Sequence, residues 1–290
     1  MQELHYSRPT TVADAVVALA RPDARVLAGG TDLIVQVREK RRQVAHVIDL
    51  KRIPELNAIT RQADGGWRIG AAASVGRLGR DAAFAAEHHA LLDSARLIGS
   101  LQIQNRASLG GNVCNAAPSA DAVPLLICLG ARGVVAGPGG RRTLPIVEIA
   151  TGPGRSSLAA EEILVAIEVP AQTGRWAAKY LRFTPRREMD IAIAGAGVWL
   201  QLDQQGAITG AAITLASVAP TPLVAAAAQT LLVGERLSPK LIAAAAQSAA
   251  DEARPISDTR GSADYRRQLV AVLTRRALEA CAGELGIHGT

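Results

Sequence analysis

Apolar positions recur at helical spacing over residues 10–20 (TTVADAVVALA) behind a threonine cap, and the short apolar run at 24–28 (ARVLA) reads as a strand. That run ends in Gly29-Gly30-Thr31-Asp32. A helix-like segment follows (LIVQVREKR), then a second short strand at 44–50 (VAHVIDL), which Pro54 closes off. Strand, turn, helix and strand in this order predict a small α/β layer. From Asn57 the period changes. NAITRQ and GWRIGAAA alternate as the arms of a hairpin around Asp64-Gly65-Gly66. Helical patterns at 74–84 and 88–99 lead into a polar, glycine-bearing loop over 105–121 (NRASLGGNVCNAAPSAD). An apolar helix (VPLLICLGA), strands around a glycine-rich turn (RGVVAGPGGRRTLPI) and a strand at 163–170 (ILVAIEVP) complete this stretch.

Residues 172–175 (QTGR) are the best linker candidate. Beyond them KYLRF, IAIAGAGVWLQLD and AITGAAITLASVA read as three strands, with Gln204-Gln205-Gly206 as a turn between the last two. Alanine-rich helical patterns follow at 222–233, 238–253 and 262–283. Strands followed by helices predict a separate α+β domain. No internal repeat is visible.

The composition narrows the classes. The chain has 290 residues, of which 49% are apolar and 20% charged, with a mean hydropathy of +0.15, which excludes an intrinsically disordered protein. Aromatic residues make up only 3%, too few for a base-stacking platform. The net charge is +6, but arginine and lysine are spread along the chain, with one cluster at 38–42 (REKRR). That pattern fits a solvated basic surface, or a region facing an anionic ligand or acidic partner. A nucleic-acid partner is not expected, since its footprint is denser and interleaved with aromatics. Cys114, Cys128 and Cys281 lack any metal-binding spacing and read as free thiols in a reducing compartment. With no basic segment leading into an apolar core at its start, and no uninterrupted apolar run of about 18 residues, the chain is expected to be cytoplasmic with no membrane span.

Two segments carry candidate chemistry. In Val26-Leu27-Ala28-Gly29-Gly30-Thr31-Asp32-Leu33 a glycine pair follows a strand and precedes a helix, where a bare backbone lets a ligand approach and successive N–H groups favour an anion. The same residues also read as a tight turn with Thr31 or Asp32 as helix cap. The spacing is neither a Rossmann fingerprint nor a P-loop. The second segment, Ala107-Ser108-Leu109-Gly110-Gly111-Asn112-Val113-Cys114-Asn115, continues to Pro118-Ser119-Ala120-Asp121. Asp121 reads either as an acceptor for ribose hydroxyls or as a helix cap. Two glycine pairs can hold one diphosphate between them. His5, His46, His88, His89 and His288 all lie outside these loops and read as surface or packing residues. No nucleophile or acid–base group stands out, as expected of a site whose cofactor carries the redox chemistry.

The loops AGGTDL (28–33) and IGSLQIQNRASLGGNVCNAAPSAD (98–121), together with IDLKRIPEL (48–56), LPIVEI (144–149) and FTPRREMDIAIAG (183–195), come in the order seen in the FAD-binding medium subunits of the molybdenum hydroxylases, the family of xanthine dehydrogenase and carbon monoxide dehydrogenase. The chain resembles that family over nearly its whole length. The resemblance implies an α+β chain: a two-subdomain FAD-binding fold of the p-cresol methylhydroxylase type over 1–174, with subdomains of about 1–56 and 57–174, then a C-terminal three-stranded sheet with helices over 175–290. It implies noncovalent FAD, its diphosphate against Leu27, Ala28, Gly29, Gly30, Thr31, Asp32 and Leu33, with Ala107, Ser108, Leu109, Gly110, Gly111 and Asn112 on the other side. Ser119 and Asp121 match positions near the ribityl and ribose hydroxyls, Ile98 and Leu164 apolar positions beside the flavin, and Arg182 a cation near the ring. No role is derived for Arg187, Glu188 and Asp190, for which a structural salt network is an equal reading.

The resemblance further implies that a small subunit with [2Fe-2S] clusters and a large subunit with the molybdenum cofactor are partners, in a dimer of heterotrimers. FAD here would collect electrons and pass them to NAD+ or another acceptor, while this chain holds no metal. Two other readings stay open: an assembly module that keeps the fold without enzymatic function, and a self-contained flavin oxidoreductase.

Overall fold

The computed structural model describes residues 4–287, so His288 lies outside the described residues. The chain forms two compact units. The first comprises residues up to Glu87, Ile98–Ala116 and Ala131–Ala171; the second comprises His88–Leu97, Ala117–Gly130 and the chain from Gln172 onward. The units are therefore not consecutive stretches of sequence.

The first unit opens with the expected α/β layer. Three parallel strands are ordered His5–Ser7, His46–Asp49, Ala24–Leu27, with His46–Asp49 central. The edge strand His5–Ser7 has no apolar pattern that would announce it. The helix Val12–Leu19 crosses between strands, capped by the Thr11 hydroxyl, which accepts the Asp14 N–H at 3.1 Å. Ala15 and Leu19, one turn apart, are its buried residues.

A five-stranded antiparallel sheet follows, in the order Ile59–Arg61, Trp67–Gly70, Ile163–Val169, Arg132–Gly137, Gly140–Pro145. The expected hairpin around Asp64-Gly65-Gly66 is its first pair. Ile163–Val169 is central and buried except at Glu168, which is why its sequence is a continuous apolar run. One core joins the two sheets: Ile48, Leu50, Ile53 and Leu56 pack with Ala72, Ala136, Ile163 and Val165. The segment 105–121, expected as a polar loop, contains a helix at Leu109–Cys114 capped by Ser108, whose hydroxyl accepts the Gly111 N–H.

The second unit has the expected long strands, Arg175–Phe183, Ala194–Leu202 and Ile208–Ala216, and adds a two-residue edge strand, Leu223–Val224. Alternate residues Ala194, Ala196, Val198, Leu200 and Leu202 face a core shared with the helices Ala226–Leu232, Pro239–Glu252 and Ala263–Glu284. The alanine-rich pattern has a packing role. Ala245, Ala246, Ala249 and Ala250 are buried, and their small side chains let Pro239–Glu252 lie close to Ala263–Glu284. The helix Val123–Cys128 lies on the opposite face, where the Cys128 thiol donates to the Gly197 carbonyl at 3.4 Å. The helical pattern at 88–99 ends at Ala95 and, like 117–130, is drawn into this unit by buried Leu91, Leu92, Leu125 and Leu126.

Leu56 is fully buried where the two sheets of the first unit meet. Leu56→Ala is expected to cost about 2–5 kcal/mol, read as a lower urea midpoint at unchanged slope.

Candidate functional site

The parallel strand Ala24–Leu27 ends in the turn 28–32, and that turn forms one wall of a cleft of about 410 Å³ within the first unit. Residues 24–33 line this wall. Ala107, Ser108, Gly110, Gly111 and Asn112 line a second, and Ile98, Ala71 and residues 158–160 and 162–164 complete the enclosure. The structure thus brings both glycine segments to one cavity.

The four glycines have different physical tasks. A Cβ on Gly29 would sit 2.6 Å from the Arg106 carbonyl carbon and 2.9 Å from the Ala107 nitrogen. A Cβ on Gly110 would sit 2.7 Å from the Ala71 Cα. Both are bare because backbone packs on backbone, Gly29 joining the first segment directly to the second. Gly30 has φ of +77°, which turns the chain from strand to helix and strains any residue with a side chain. Gly111 is the least crowded of the four: its Cβ position meets no backbone of another segment, only the Ser108 hydroxyl in a tight contact at 3.2 Å. All four line the cleft, and the sequence's two readings, close approach and a tight turn with positive φ, divide among them.

A polar chain reinforces the contact. The Gln36 amide donates to Asn115 Oδ1 at 3.1 Å, and the Asn115 amide donates to Asp32 Oδ1 at 3.1 Å. Meanwhile the backbone N–H groups of Gly29, Gly30, Thr31 and Asp32 donate to no acceptor among the described residues. Successive N–H groups in a turn form a concavity suited to an anion. Asn112 Oδ1 is buried and has no hydrogen-bond partner among the described residues. Arg25 and Arg42 bring positive charge to the lining, and the Glu162 carboxylate is forked by Arg142 at 2.7 and 2.8 Å. The cavity therefore offers unused backbone donors and cations to a polyanionic ligand.

The expected residues fall into groups. Leu27, Ala28, Gly29, Gly30, Thr31, Asp32, Leu33, Ile98, Ala107, Ser108, Gly110, Gly111, Asn112 and Leu164 all line the cleft. Leu109 is buried and is not among the lining residues. Ser119, Asp121 and Arg182 belong to the second unit. There Asp121 accepts the Tyr180 hydroxyl at 3.0 Å and Arg182 Nη1 at 2.5 Å. Burial pushes the Asp121 carboxyl up to about 6, while Arg182 and Tyr180 pull it down. Asp121 is not a helix cap, since Val123–Cys128 begins at Ala122 without a side-chain cap. Cys114 lines the cleft, and burial pushes its thiol up to about 12, as befits a packed thiol. In the unassigned motif, Asp190 accepts the backbone N–H groups of Arg186 and Ile191 at 3.0 and 2.9 Å and pairs with Arg260 at 3.4 Å, a structural network.

Sequence reasoning gave no role to Arg25, Gln36, Arg42 or the 158–160 wall, and it named Asn115 only as the end of the second glycine segment. Arg25 and Gln36 flank the first glycine segment and Arg42 belongs to the basic cluster at 38–42, so each had a local signal. The 158–160 wall reaches the cleft through sheet pairing and leaves no local pattern.

Comparison with known proteins supplies the family and the fold. The family model for the FAD binding domain in molybdopterin dehydrogenase covers residues 2–172, and that for the CO dehydrogenase flavoprotein C-terminal domain covers 179–281. A putative xanthine dehydrogenase FAD-binding subunit of Escherichia coli is 32% identical over 97% of each chain. The carbon monoxide dehydrogenase medium chain of Hydrogenophaga pseudoflava is 33% identical over 95% of this chain and 96% of its own. A solved structure of carbon monoxide dehydrogenase from Hydrogenophaga pseudoflava superimposes with a TM-score of 0.93 at 32% identity, covering 97% of this chain and 98% of that one. Quinoline 2-oxidoreductase from Pseudomonas putida gives 0.90 at 28% identity over 98% of each.

The division among the glycines has a measurable consequence. Gly29→Ala and Gly110→Ala force backbone apart and are expected to cost about 1–3 kcal/mol or more, whereas Gly111→Ala stays within about 1 kcal/mol of wild type in urea denaturation. Equal losses at all three positions would refute it.

Proposed function

The chain belongs to the FAD-binding subunits of the molybdenum hydroxylases, and from that membership we propose that it is an electron-transfer subunit, taking electrons from [2Fe-2S] clusters of a partner and delivering them to NAD+ or another acceptor. The observation that carries the proposal is the cleft itself. Two segments almost eighty residues apart in sequence are brought into backbone contact, and the four N–H groups of Gly29–Asp32 beside that contact are left without an acceptor. A flavin dinucleotide matches this lining: a diphosphate for the N–H groups and arginines, and apolar rings for Ile98 and Leu164.

When bound, FAD supplies the capacity to gather electrons and release them in pairs. The protein's part is to hold and shield it. The turn 28–32 presents donors to the diphosphate, Gly111 leaves the room it needs, and the Gln36–Asn115–Asp32 chain keeps the two walls together. On the family resemblance the flavin is proposed to be bound noncovalently. Ser119, Asp121 and Arg182, and likewise Leu109, are proposed as cofactor-binding residues on the family resemblance. We propose the domain division 1–174 and 175–290, which the family-model limits of 2–172 and 179–281 support.

The partners proposed are a small [2Fe-2S] subunit and a large subunit carrying the molybdenum cofactor, in a dimer of heterotrimers located in the cytoplasm. No helix among the described residues is long and apolar enough to cross a membrane.

The full chain is expected to purify yellow with a flavin absorbance, or to quench the fluorescence of added FAD. A colourless chain that takes up no FAD refutes the cofactor assignment. Gly111→Val, which puts a branched side chain into this least crowded position, is expected to weaken FAD binding at least about tenfold while the protein stays folded. Isolation of the native complex is expected to yield an iron–sulfur chain and a molybdenum-containing chain alongside this one.

A further inference from the structure

The charges around the cleft are unevenly satisfied. Glu162 is neutralised by the Arg142 fork, while Arg25 keeps its charge but has one nitrogen committed to the Ala24 carbonyl at 2.6 Å. Arg41, the neighbour of Arg42 in the basic cluster, is paired with Glu39 and does not line the cleft. Arg42 does line it, and its guanidinium meets no acceptor among the described residues. The backbone fixes this placement. After the helix Leu33–Arg38 the chain turns through Lys40 at φ of +57°, and the N–H groups of Arg41 and Arg42 both donate to the Gln36 carbonyl, at 2.9 and 3.3 Å. Gln36 is the residue whose side chain also ties the two cleft walls through Asn115. The anchor that assembles the cleft is thus the one that holds Arg42 at its edge.

We infer that Arg42 is a cofactor-binding residue, its guanidinium serving the diphosphate of FAD as the counter-charge that the N–H groups of the 28–32 turn do not supply. The inference rests on the FAD assignment above. A guanidinium is suited to this role because its planar fork matches phosphate oxygens and stays charged at any working pH. Arg42 is exposed, so its contribution is screened by salt and is strongest at low ionic strength.

The test is FAD titration of the full chain, followed by flavin fluorescence, at low and high salt. Arg42→Gln is compared with Arg42→Lys and with Arg41→Gln, which removes the same charge from the same cluster away from the cleft. Arg42→Gln is expected to raise Kd about tenfold at low salt and to flatten the salt dependence, with Arg42→Lys between it and wild type. Arg41→Gln is expected to stay within about twofold of wild type, and the melting temperature of the apo chain to be unchanged by either neutral substitution. An unchanged Kd for Arg42→Gln overturns the inference while leaving the FAD assignment standing. An equal loss for Arg41→Gln also overturns it, since a diffuse field of the cluster would then suffice. A wild-type chain that binds no FAD overturns the cofactor assignment itself, and the inference with it.

Discussion

The contact between Gly29 and the Arg106–Ala107 backbone is the constraint around which the candidate site is built. It exists because one residue carries no side chain: a single methyl group at Gly29 would overlap the opposing carbonyl. From that contact follow the shared cleft, the short reach between Asp32 and Asn115, and the exposure of the 28–32 turn with its donors unused. Backbone packing of this kind cannot be adjusted by choosing another rotamer, so it sets a fixed distance between the two walls. The Gln36–Asn115–Asp32 hydrogen bonds lie near solvent and are weak singly. They guide the walls together, whereas the backbone contact limits how near they come.

The walls of the cleft are anchored in the core of the first unit. The strand Ala24–Leu27 and the strand Ile163–Val169 both feed the cleft, and both belong to one core through Ala24, Ile48, Ile163 and Val165. The cleft is therefore mounted on two sheets that already share buried apolar surface, and its polar turn carries little of the folding burden. That division lets the turn leave hydrogen-bond donors open. Within the second unit some buried polar side chains pair with one another, while Trp199 Nε1, Arg266 Nε and the Thr274 hydroxyl are buried with no partner among the described residues. Asp121, Tyr180 and Arg182 satisfy one another at 2.5–3.0 Å, and Arg266 is buried while donating to the carbonyls of Ile193 and Ser217 and to Asp258. Such pairs are costly to break one partner at a time and so specify one packing of the sheet against its helices.

Local chemistry made much of the architecture legible. The Thr11 cap, the Asp64-Gly65-Gly66 hairpin, the continuous apolar run at 163–169 and the alternation of the strand Ala194–Leu202 are each decided by neighbours in sequence. Three features were not legible for a shared reason. The strand His5–Ser7 is held by pairing with His46–Asp49 and not by its own pattern. The helix Leu109–Cys114 contains two adjacent glycines, which disfavour a helix, and it forms because Ser108 caps it and Leu109 and Val113 are buried. The segments 88–97 and 117–130 join the second unit because of what their leucines meet there.

By itself the sequence determined most of the longer elements, the two glycine segments and the family to which they point, because caps, turns, periodicity and bare backbone act over a few residues. Only the tertiary structure decided which glycine serves packing, which sets a turn and which leaves space, since that depends on the atom opposite an absent Cβ. It alone brought Arg42 and the 158–160 wall to the two glycine segments. Proximity of that kind is set by sheet pairing and core burial between segments far apart in the chain, and no local pattern encodes it.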